Sequence, residues 1–141
     1  MLKDLNIIKV KMKRVNWKEI LDIDQSMIND IRIVGFLYIK QGKYTIAISF
    51  FKMLAILNIN EYDFQTLGAL YLEKGQYLEA LKFIDKALKL NPINYNNLLN
   101  KCKALICLGY KKQAHTYLIN LSTNNNPVIE TQAKTLLLSF F

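Results

Sequence analysis

The side chains that most often perform nucleophilic or metal chemistry are scarce in this chain. His115 is the only histidine among the 141 residues, and no serine or cysteine is placed to use it as a general base. Cys102 and Cys107 are five residues apart, so on one helix they point in different directions and cannot form a disulfide with each other. A lone histidine with two such cysteines also makes no metal site. We therefore predict no catalytic residue, metal or cofactor, and we expect both cysteines to be small buried hydrophobic groups.

The acidic residues and the glycines are explained by structure rather than by catalysis. Most acidic side chains fall at predicted helix starts or on exposed faces, where they cap helices or oppose the helix dipole. These residues are Asp22, Asp24, Asp30, Glu61, Asp63, Glu73, Glu79 and Asp85. Each glycine fits a turn or a close helix crossing, and none belongs to a phosphate-binding loop. The sequence therefore predicts a protein that is not an enzyme.

One helix–turn–helix unit, from Asp63 to Pro92, organises the chain. Gly75 suits the left-handed end of its first helix, and Pro92 ends its second helix. Spacings of three and four place the apolar and small residues on facing sides of the two helices. Those of the first helix are Leu67, Gly68 and Tyr71, and those of the second are Ala80, Phe83, Ile84 and Ala87. This spacing is typical of the tetratricopeptide repeat.

The same unit occurs on both sides of this stretch. The preceding copy lies one repeat length earlier and has Gly35, Tyr38, Gly42, Tyr44, Ala47 and Phe51 at the matching positions. The following copy lies one repeat length later and has Cys102, Leu105, Gly109, Ala114 and Leu118. One repeat cannot bury its own apolar face, so stacked neighbours are expected. We predict an all-α tetratricopeptide repeat solenoid, with a basic arm and short helix in residues 1–24, three repeats in 25–126, and a capping helix in 127–141.

The helix boundaries follow from the repeat and from the capping residues. We predict helices at Trp17–Asp22, Gln25–Gln41, Tyr44–Leu57, Tyr62–Lys74, Tyr77–Leu90, Tyr95–Leu108 and Lys111–Leu121, and a last one from Pro127 towards Phe140. Asn16 and Glu19 resemble a capping box for the first helix, and Asp24 is the expected N-cap of the second.

The two ends of the chain are more ambiguous. Residues 1–15 carry a helical stripe of Leu5, Ile8, Met12 and Val15, but they also alternate with a period of two, so we expect a helix or a mobile arm. The closing segment LLLSFF is more apolar than a solenoid cap needs. We favour its burial against the third repeat over contact with a partner.

The concave surface, which is lined by the first helix of each repeat, is the predicted functional surface. Its outward positions include Phe36, Ile39, Lys40, Tyr62, Gln65, Ala69, Leu72, Leu99, Lys103 and Ile106. The apolar residues in this set are not needed for packing within a repeat. A short array could close on itself and bury them. We favour a groove for an extended apolar peptide, with Asn and Gln side chains holding the peptide backbone.

Charge and hydropathy give weaker indications. The net charge is +8, and the lysines and arginine in excess lie towards the two ends of the chain. Nucleic-acid binding is therefore an alternative, although the richness in Ile, Asn and Lys also fits an AT-rich coding sequence. No apolar run reaches the roughly 18 residues that cross a bilayer, and the N-terminal segment lacks the uninterrupted apolar core of a signal peptide. We expect a cytoplasmic protein.

From Lys18 onwards, the chain resembles the class II translocator chaperones of bacterial type III secretion. The segments that carry the resemblance are FLYIKQGKY, AISFFKMLAILN, LGALYLEKGQYLEA and KCKALICLG, with residues 127–141 matching the family's closing helix. The resemblance implies a cytosolic, non-enzymatic chaperone that binds a short extended segment of a hydrophobic translocator before export. It also implies a homodimer through residues 1–22, here through Leu5, Ile8, Met12, Trp17 and Leu21.

The family's groove maps onto particular residues of this chain. The resemblance assigns client binding to Phe36, Ile39, Tyr44 and Leu72, and to the positions around Tyr62 and Gln65. Arg32 departs from the family pattern, which commonly has an aromatic residue there. A general tetratricopeptide adaptor or a chaperone of needle subunits is the alternative, and a nucleic-acid binder is a weaker one.

Overall fold

The computed structural model describes residues 15–141, and within this range the chain is all-helical. Its eight helices are α1 (Trp17–Ile20), α2 (Gln25–Lys40), α3 (Tyr44–Leu57), α4 (Glu61–Glu73), α5 (Tyr77–Leu90), α6 (Tyr95–Cys107), α7 (Lys111–Leu121) and α8 (Pro127–Phe140). The pairs α2–α3, α4–α5 and α6–α7 pack as hairpins, and each hairpin packs on the next. Helix α8 packs on both helices of the third hairpin. The predicted all-α solenoid is therefore confirmed.

The predicted helix boundaries agree closely with the structure. The bounds of α3, α5 and α7 are as predicted, those of α2 and α6 differ by one residue at the C-terminal end, and those of α4 differ by one residue at both ends. Helix α1 stops at Ile20, two residues early, and Asp22 then adopts a positive φ of 51°. The predicted capping box is wrong. Asn16 has φ −81° and ψ 84° rather than an extended conformation, and its side chain makes no capping hydrogen bond.

The first helix of each repeat begins with an Asx cap. Asp24 accepts a hydrogen bond from the backbone N–H of Met27 at 2.8 Å, as predicted. Asn60, Asn94 and Asn126 cap α4, α6 and α8 in the same way. These caps satisfy backbone donors that would otherwise lack partners. Helix α8 thus starts like the first helix of a fourth repeat.

The close crossing of α4 and α5 requires the glycine of the repeat. A Cβ at Gly68 would lie 2.6 Å from Cγ1 of Ile84, which is fully buried. Next to this crossing, the Tyr71 ring stacks on Phe83 at 5.6 Å between centroids. Gly75 has a φ of 70° and ends α4, because the left-handed conformation turns the chain into α5.

The apolar core is divided into two clusters. The first cluster is formed by α2 to α5, and its largest fully buried side chains are Phe51, Ile28, Leu54, Leu67 and Ile84. The second cluster is formed by α6 to α8 and contains Leu99, Cys102, Leu105, Ile106, Ala114, Leu118, Leu121, Ile129 and Ala133. The division falls between the second and third repeats.

Only part of the N-terminal segment, for which a helix or arm and a dimer surface were predicted, belongs to the described residues. The helix or arm at residues 1–14 lies outside the described residues, as do Leu5, Ile8 and Met12 of the predicted dimer surface. In the described part, Trp17 and Leu21 are exposed. Residues 15–141 contain no helix with the length and apolar character to span a membrane.

Candidate binding groove

A cavity of about 350 Å³ opens on the concave surface between α4, α6 and α8. Its lining residues are Ala69, Leu72 and Glu73 of α4, Tyr77 of α5, Asn100, Lys103, Ile106 and Cys107 of α6, and Leu136 and Phe140 of α8. The cavity therefore joins side chains from the second repeat, the third repeat and the closing helix. We call it the concave cavity.

The repeat pattern explains why the cavity forms at this place. Phe36, Ala69 and Lys103 occupy the same position in the three repeats. Phe36 fills its position with an aromatic ring, whereas the methyl group of Ala69 leaves space above α4. Four residues of the predicted groove line this space, namely Ala69, Leu72, Lys103 and Ile106.

Sequence reasoning missed several walls of the cavity. The predicted groove residues do not include Tyr77 or Asn100, which both line the cavity. Leu136 and Phe140 had been assigned to the cap of the third repeat. They are four residues apart and therefore lie on one face of α8, which forms a wall of the cavity. This spacing could have indicated the wall from the sequence, since it marks a second apolar face on the last helix.

The polar groups of the cavity are few and of both signs. Glu73 and Lys103 are exposed and contribute a carboxylate and an ammonium group to opposite walls, and Asn100 adds an amide. The Cys107 thiol beside Tyr77 raises the pKa of the tyrosine hydroxyl. The site can thus bury apolar side chains and offer a few hydrogen bonds, but it contains no evident acid–base pair.

The two cysteines differ, so the prediction that both are buried is half wrong. Cys102 is buried, and this burial raises the pKa of its thiol to about 12. Cys107 is exposed and faces the concave cavity. The reason is geometric, because five residues on a helix turn the second thiol away from the core.

The groove residues predicted in the first repeat lie outside the concave cavity. Phe36 is 43% exposed and packs edge-on against Phe51, with ring centroids 5.2 Å apart. Ile39 and Tyr44 are half-buried against the first cluster, and Lys40 is exposed. Tyr62, at the start of α4, is 67% exposed. A groove role for these side chains remains a prediction.

Leu99 was wrongly predicted to face the groove. It is only 1% exposed and belongs to the second cluster together with Ile129 and Ala133 of α8. Helix α8 covers the side of α6 on which Leu99 lies. Ile106 is also mainly a core residue, although one part of it lines the cavity.

Arg32 and Gln65, which occupy the repeat position of Leu99, are junction residues. Arg32 donates from Nε and Nη2 to the two carboxylate oxygens of Asp63 in the next repeat, each at 2.8 Å. Gln65 Oε1 accepts from Asn94 Nδ2 of the next repeat at 3.1 Å. In each case the side chain reaches the start of the following repeat rather than the open groove. The predicted groove role of Gln65 is therefore indirect.

Asp63 lies in the first turn of its helix, as predicted, but it is neither exposed nor a capping residue. Its side chain is 1% exposed, and the carboxylate is held by the bidentate pair with Arg32. This pair raises the pKa of the guanidinium further above its usual value. Arg32 thus replaces the aromatic residue of the family pattern with a charged clamp between two repeats.

No metal site was found in residues 15–141, where no three His, Cys, Asp or Glu side chains come together. His115 is exposed, and its ring lies 5.0 Å from that of Phe141. It therefore makes an aromatic contact at the end of α8, away from the walls of the concave cavity.

Comparison with known proteins places this geometry in context. The family model of the tetratricopeptide repeat matches residues 62–94, which are the second repeat and its surroundings. The translocator chaperone SycD of Yersinia enterocolitica has a similar structure, with a TM-score of 0.75, 19% identity, and coverage of 89% of this chain and 98% of SycD. The chain has the fold of the translocator chaperones. Comparison with curated proteins gave no match.

The similar structures include two complexes with a segment of a translocator. SycD in complex with a peptide of the translocator YopD gives a TM-score of 0.72 at 19% identity, covering 83% of this chain and 97% of that chain. PcrH of Pseudomonas aeruginosa, in complex with the chaperone-binding region of PopB, gives 0.69 at 20% identity, covering 80% of this chain and 94% of PcrH. The shared fold extends over nearly the whole length of these chaperones.

Proposed function

We propose that this protein is a type III secretion chaperone that binds an extended apolar segment of a translocator in its concave groove. The observation that carries the proposal is the concave cavity, whose walls come from four helices and are mainly apolar. Two proteins of the same fold bind segments of translocators. SycD binds a peptide of YopD, and PcrH binds the chaperone-binding region of PopB.

The concave cavity suits one large apolar side chain of the client. Burial of apolar surface against Leu72, Ile106 and Leu136 stabilises the complex by about 25 cal/mol per Å². The amide of Asn100 and the charged groups of Glu73 and Lys103 are available to the polar backbone on either side. The client segment is then held in the groove instead of aggregating or inserting into a membrane.

The cellular setting and the self-association belong to the same proposal. A chaperone that holds a translocator before export acts in the bacterial cytoplasm and performs no chemical reaction on its client. A homodimer through residues 1–22 remains a prediction. In the described part of that segment, Trp17, Ile20 and Leu21 are exposed apolar residues on or next to α1.

The proposal is tested by filling the concave cavity. Ala69→Phe places in the second repeat the ring that Phe36 provides in the first. We expect the variant to lose affinity for a translocator segment by at least about tenfold, because the ring occupies the space for the client side chain. Fluorescence anisotropy with labelled peptides tiled along a translocator measures the affinity. Circular dichroism shows whether the helices and the melting temperature are retained.

Ala55→Phe is the matched control, because Ala55 is also half-buried but lies on the other face, beside Lys52 and Phe83. This variant should bind like the wild type. Equal losses in both variants would indicate general destabilisation. Unchanged binding by a folded Ala69→Phe variant would show that the client does not use the cavity. That result would favour a general adaptor with another binding surface.

A further inference from the structure

The two junctions between repeats are built differently at equivalent positions. Arg32 and Gln65 occupy the same position in successive repeats. Arg32 clamps the second repeat through two charge-assisted hydrogen bonds of 2.8 Å to Asp63. Gln65 makes one neutral hydrogen bond of 3.1 Å to Asn94 of the third repeat. Hydrogen bonds between charged groups are about twice as strong as neutral ones, so Gln65 holds the second junction less strongly than Arg32 holds the first.

Asn97 lacks the partner that its counterpart has. It occupies in the third repeat the position that Asp63 holds in the second, and its side chain is fully buried. Neither its amide nitrogen nor its amide oxygen has a hydrogen-bond partner among the described residues. A buried polar group without a partner destabilises the packing around it, because its lost hydration is not replaced. The closed packing of α6 against α4 therefore carries a penalty that the first junction avoids.

The two clusters of buried apolar residues also remain separate at this junction, where Leu81 of α5 packs on the second cluster. The first cluster ends with Ala87 of α5, and the second begins with Leu99 of α6. The polar bonds that do cross this junction lie away from the cavity. Lys101 Nζ is 2.8 Å from Asp85 Oδ1 of α5, and Asn94 Nδ2 is 2.6 Å from Glu61 Oε1. They hold α6 to α5 and to the start of α4, and they can act as a pivot.

We infer that the junction between the second and third repeats is a hinge that sets the width of the concave cavity. Gln65 and Asn97 are the positioning residues that leave it loose. The cavity spans the hinge, since α4 forms one wall and α6 and α8 form others. Rotation of the third repeat with α8 about the pivot opens or narrows the cavity, while the Arg32–Asp63 clamp keeps the first two repeats together. The use of this motion to accept clients of different size rests on the proposed function, but the hinge itself does not.

The test copies the first junction into the second. Gln65→Arg together with Asn97→Asp recreates the Arg32–Asp63 pair at the equivalent positions. Spin labels are placed on cysteines introduced at Thr45, Leu78 and Lys112, which are equivalent exposed residues at the starts of α3, α5 and α7. Cys107 is changed to serine in the full chain, and the buried Cys102 is retained. Pulsed electron paramagnetic resonance then gives the distance distributions for the pairs 45–78 and 78–112.

We expect the 78–112 distribution to be clearly broader than the 45–78 distribution in the otherwise wild-type protein. The Gln65→Arg and Asn97→Asp changes together should narrow the 78–112 distribution to the width of the other pair and leave the 45–78 distribution unchanged. Equal widths before the clamp is installed would overturn the proposal. So would a folded double variant whose 78–112 distribution stays broad.

A second variant keeps the test decisive if the double variant fails to fold. Asn97→Leu removes the unpartnered amide and adds apolar contact, so it should also narrow the 78–112 distribution and raise the melting temperature. An unchanged distribution with Asn97→Leu would contradict the hinge. The experiment contains no client, so its failure leaves the groove binding of a translocator untouched, and loss of peptide binding in Ala69→Phe leaves the hinge untouched.

Discussion

Asp63 shows how much of a residue's role can be predicted from its type and its position in a helix. Its place in the first turn of α4 fits an acid that favours the helix dipole, and the sequence predicted this role. Its burial and its pairing with Arg32 depend on how α2 lies against α4, which helical periodicity within one element does not show. Leu99 was misassigned for the same reason, because its burial depends on how α8 packs against α6.

Removal of Arg32 should destabilise the protein strongly. Arg32→Met leaves the Asp63 carboxylate buried without its counter-charge, and we expect a loss of roughly 3 kcal/mol in the free energy of unfolding. This value lies at the lower end of the range for buried pairs, because the arginine side chain is partly exposed. Urea denaturation followed by circular dichroism measures the loss.

The control for Arg32→Met is Lys82→Met. Lys82 also faces a carboxylate, that of Glu79 at 3.8 Å, but both side chains are largely exposed. Its removal should change the free energy of unfolding by less than about 1 kcal/mol. Similar losses in the two variants would mean that the Arg32–Asp63 pair is not a structural clamp.

At the scale of single helices, the sequence predicted most of the structure correctly. Helix bounds depend on local features such as the Asx caps, Gly75 and Pro127, and these can be read from the chain in order. The position of α8 depends instead on two surfaces far apart in sequence. Its apolar residues suggested burial against the third repeat, but not that Leu136 and Phe140 would form part of a binding cavity.

The α4–α5 crossing gives a prediction at this scale. Gly68→Ala should destabilise the protein by ~1–3 kcal/mol through overpacking, although alanine is the better helix former by ~1 kcal/mol. The added Cβ would lie 2.6 Å from Cγ1 of Ile84, which is enclosed by the core and cannot move easily. The free energy of unfolding in urea is the measurement.

A double-mutant cycle identifies the cause of this loss. In an Ile84→Ala background the cost of Gly68→Ala should fall, because the contacting atom is absent. Gly42→Ala is the control, since its φ of 71° makes alanine unfavourable although no atom lies within 4 Å of the added Cβ. Its cost should be the same in the wild-type and Ile84→Ala backgrounds. Additive effects of Gly68→Ala and Ile84→Ala would argue against a steric contact.

At the scale of the molecule, the repeat pattern allowed the fold to be predicted from the sequence. It allowed only part of the binding site to be predicted. Three copies of one pattern specify stacked hairpins, since each repeat must bury its face on the next. The concave cavity exists because those copies differ, with Ala69 where Phe36 and Lys103 stand in the other repeats. The sequence shows these differences, but the contribution of α8 and the burial of Leu99 arise only when the array is assembled.

The charge of the whole molecule separates a chaperone from a nucleic-acid binder. In the described residues, several lysines are engaged within the fold. Lys82, Lys101 and Lys134 pair with Glu79, Asp85 and Glu130, and Lys52 and Lys86 lie over the rings of Tyr71 and Phe83. Binding of nucleic acid needs cations along one continuous track and releases counterions from the phosphates. Binding of an apolar segment in the concave cavity requires neither a track of cations nor the release of counterions.

We therefore predict that a translocator peptide binds about equally well at low salt and at several-fold higher salt. Apolar burial is hardly screened by salt, whereas contacts to six to ten phosphates lose roughly 10³–10⁵-fold in affinity between 50 and 200 mM salt. Fluorescence anisotropy with a labelled peptide and with labelled DNA and RNA of matched length gives both salt dependences. Lys103→Gln, which removes the ammonium group of the cavity, should leave the slope for the peptide unchanged. Tight nucleic-acid binding that survives physiological salt, with no peptide bound, would contradict the chaperone function.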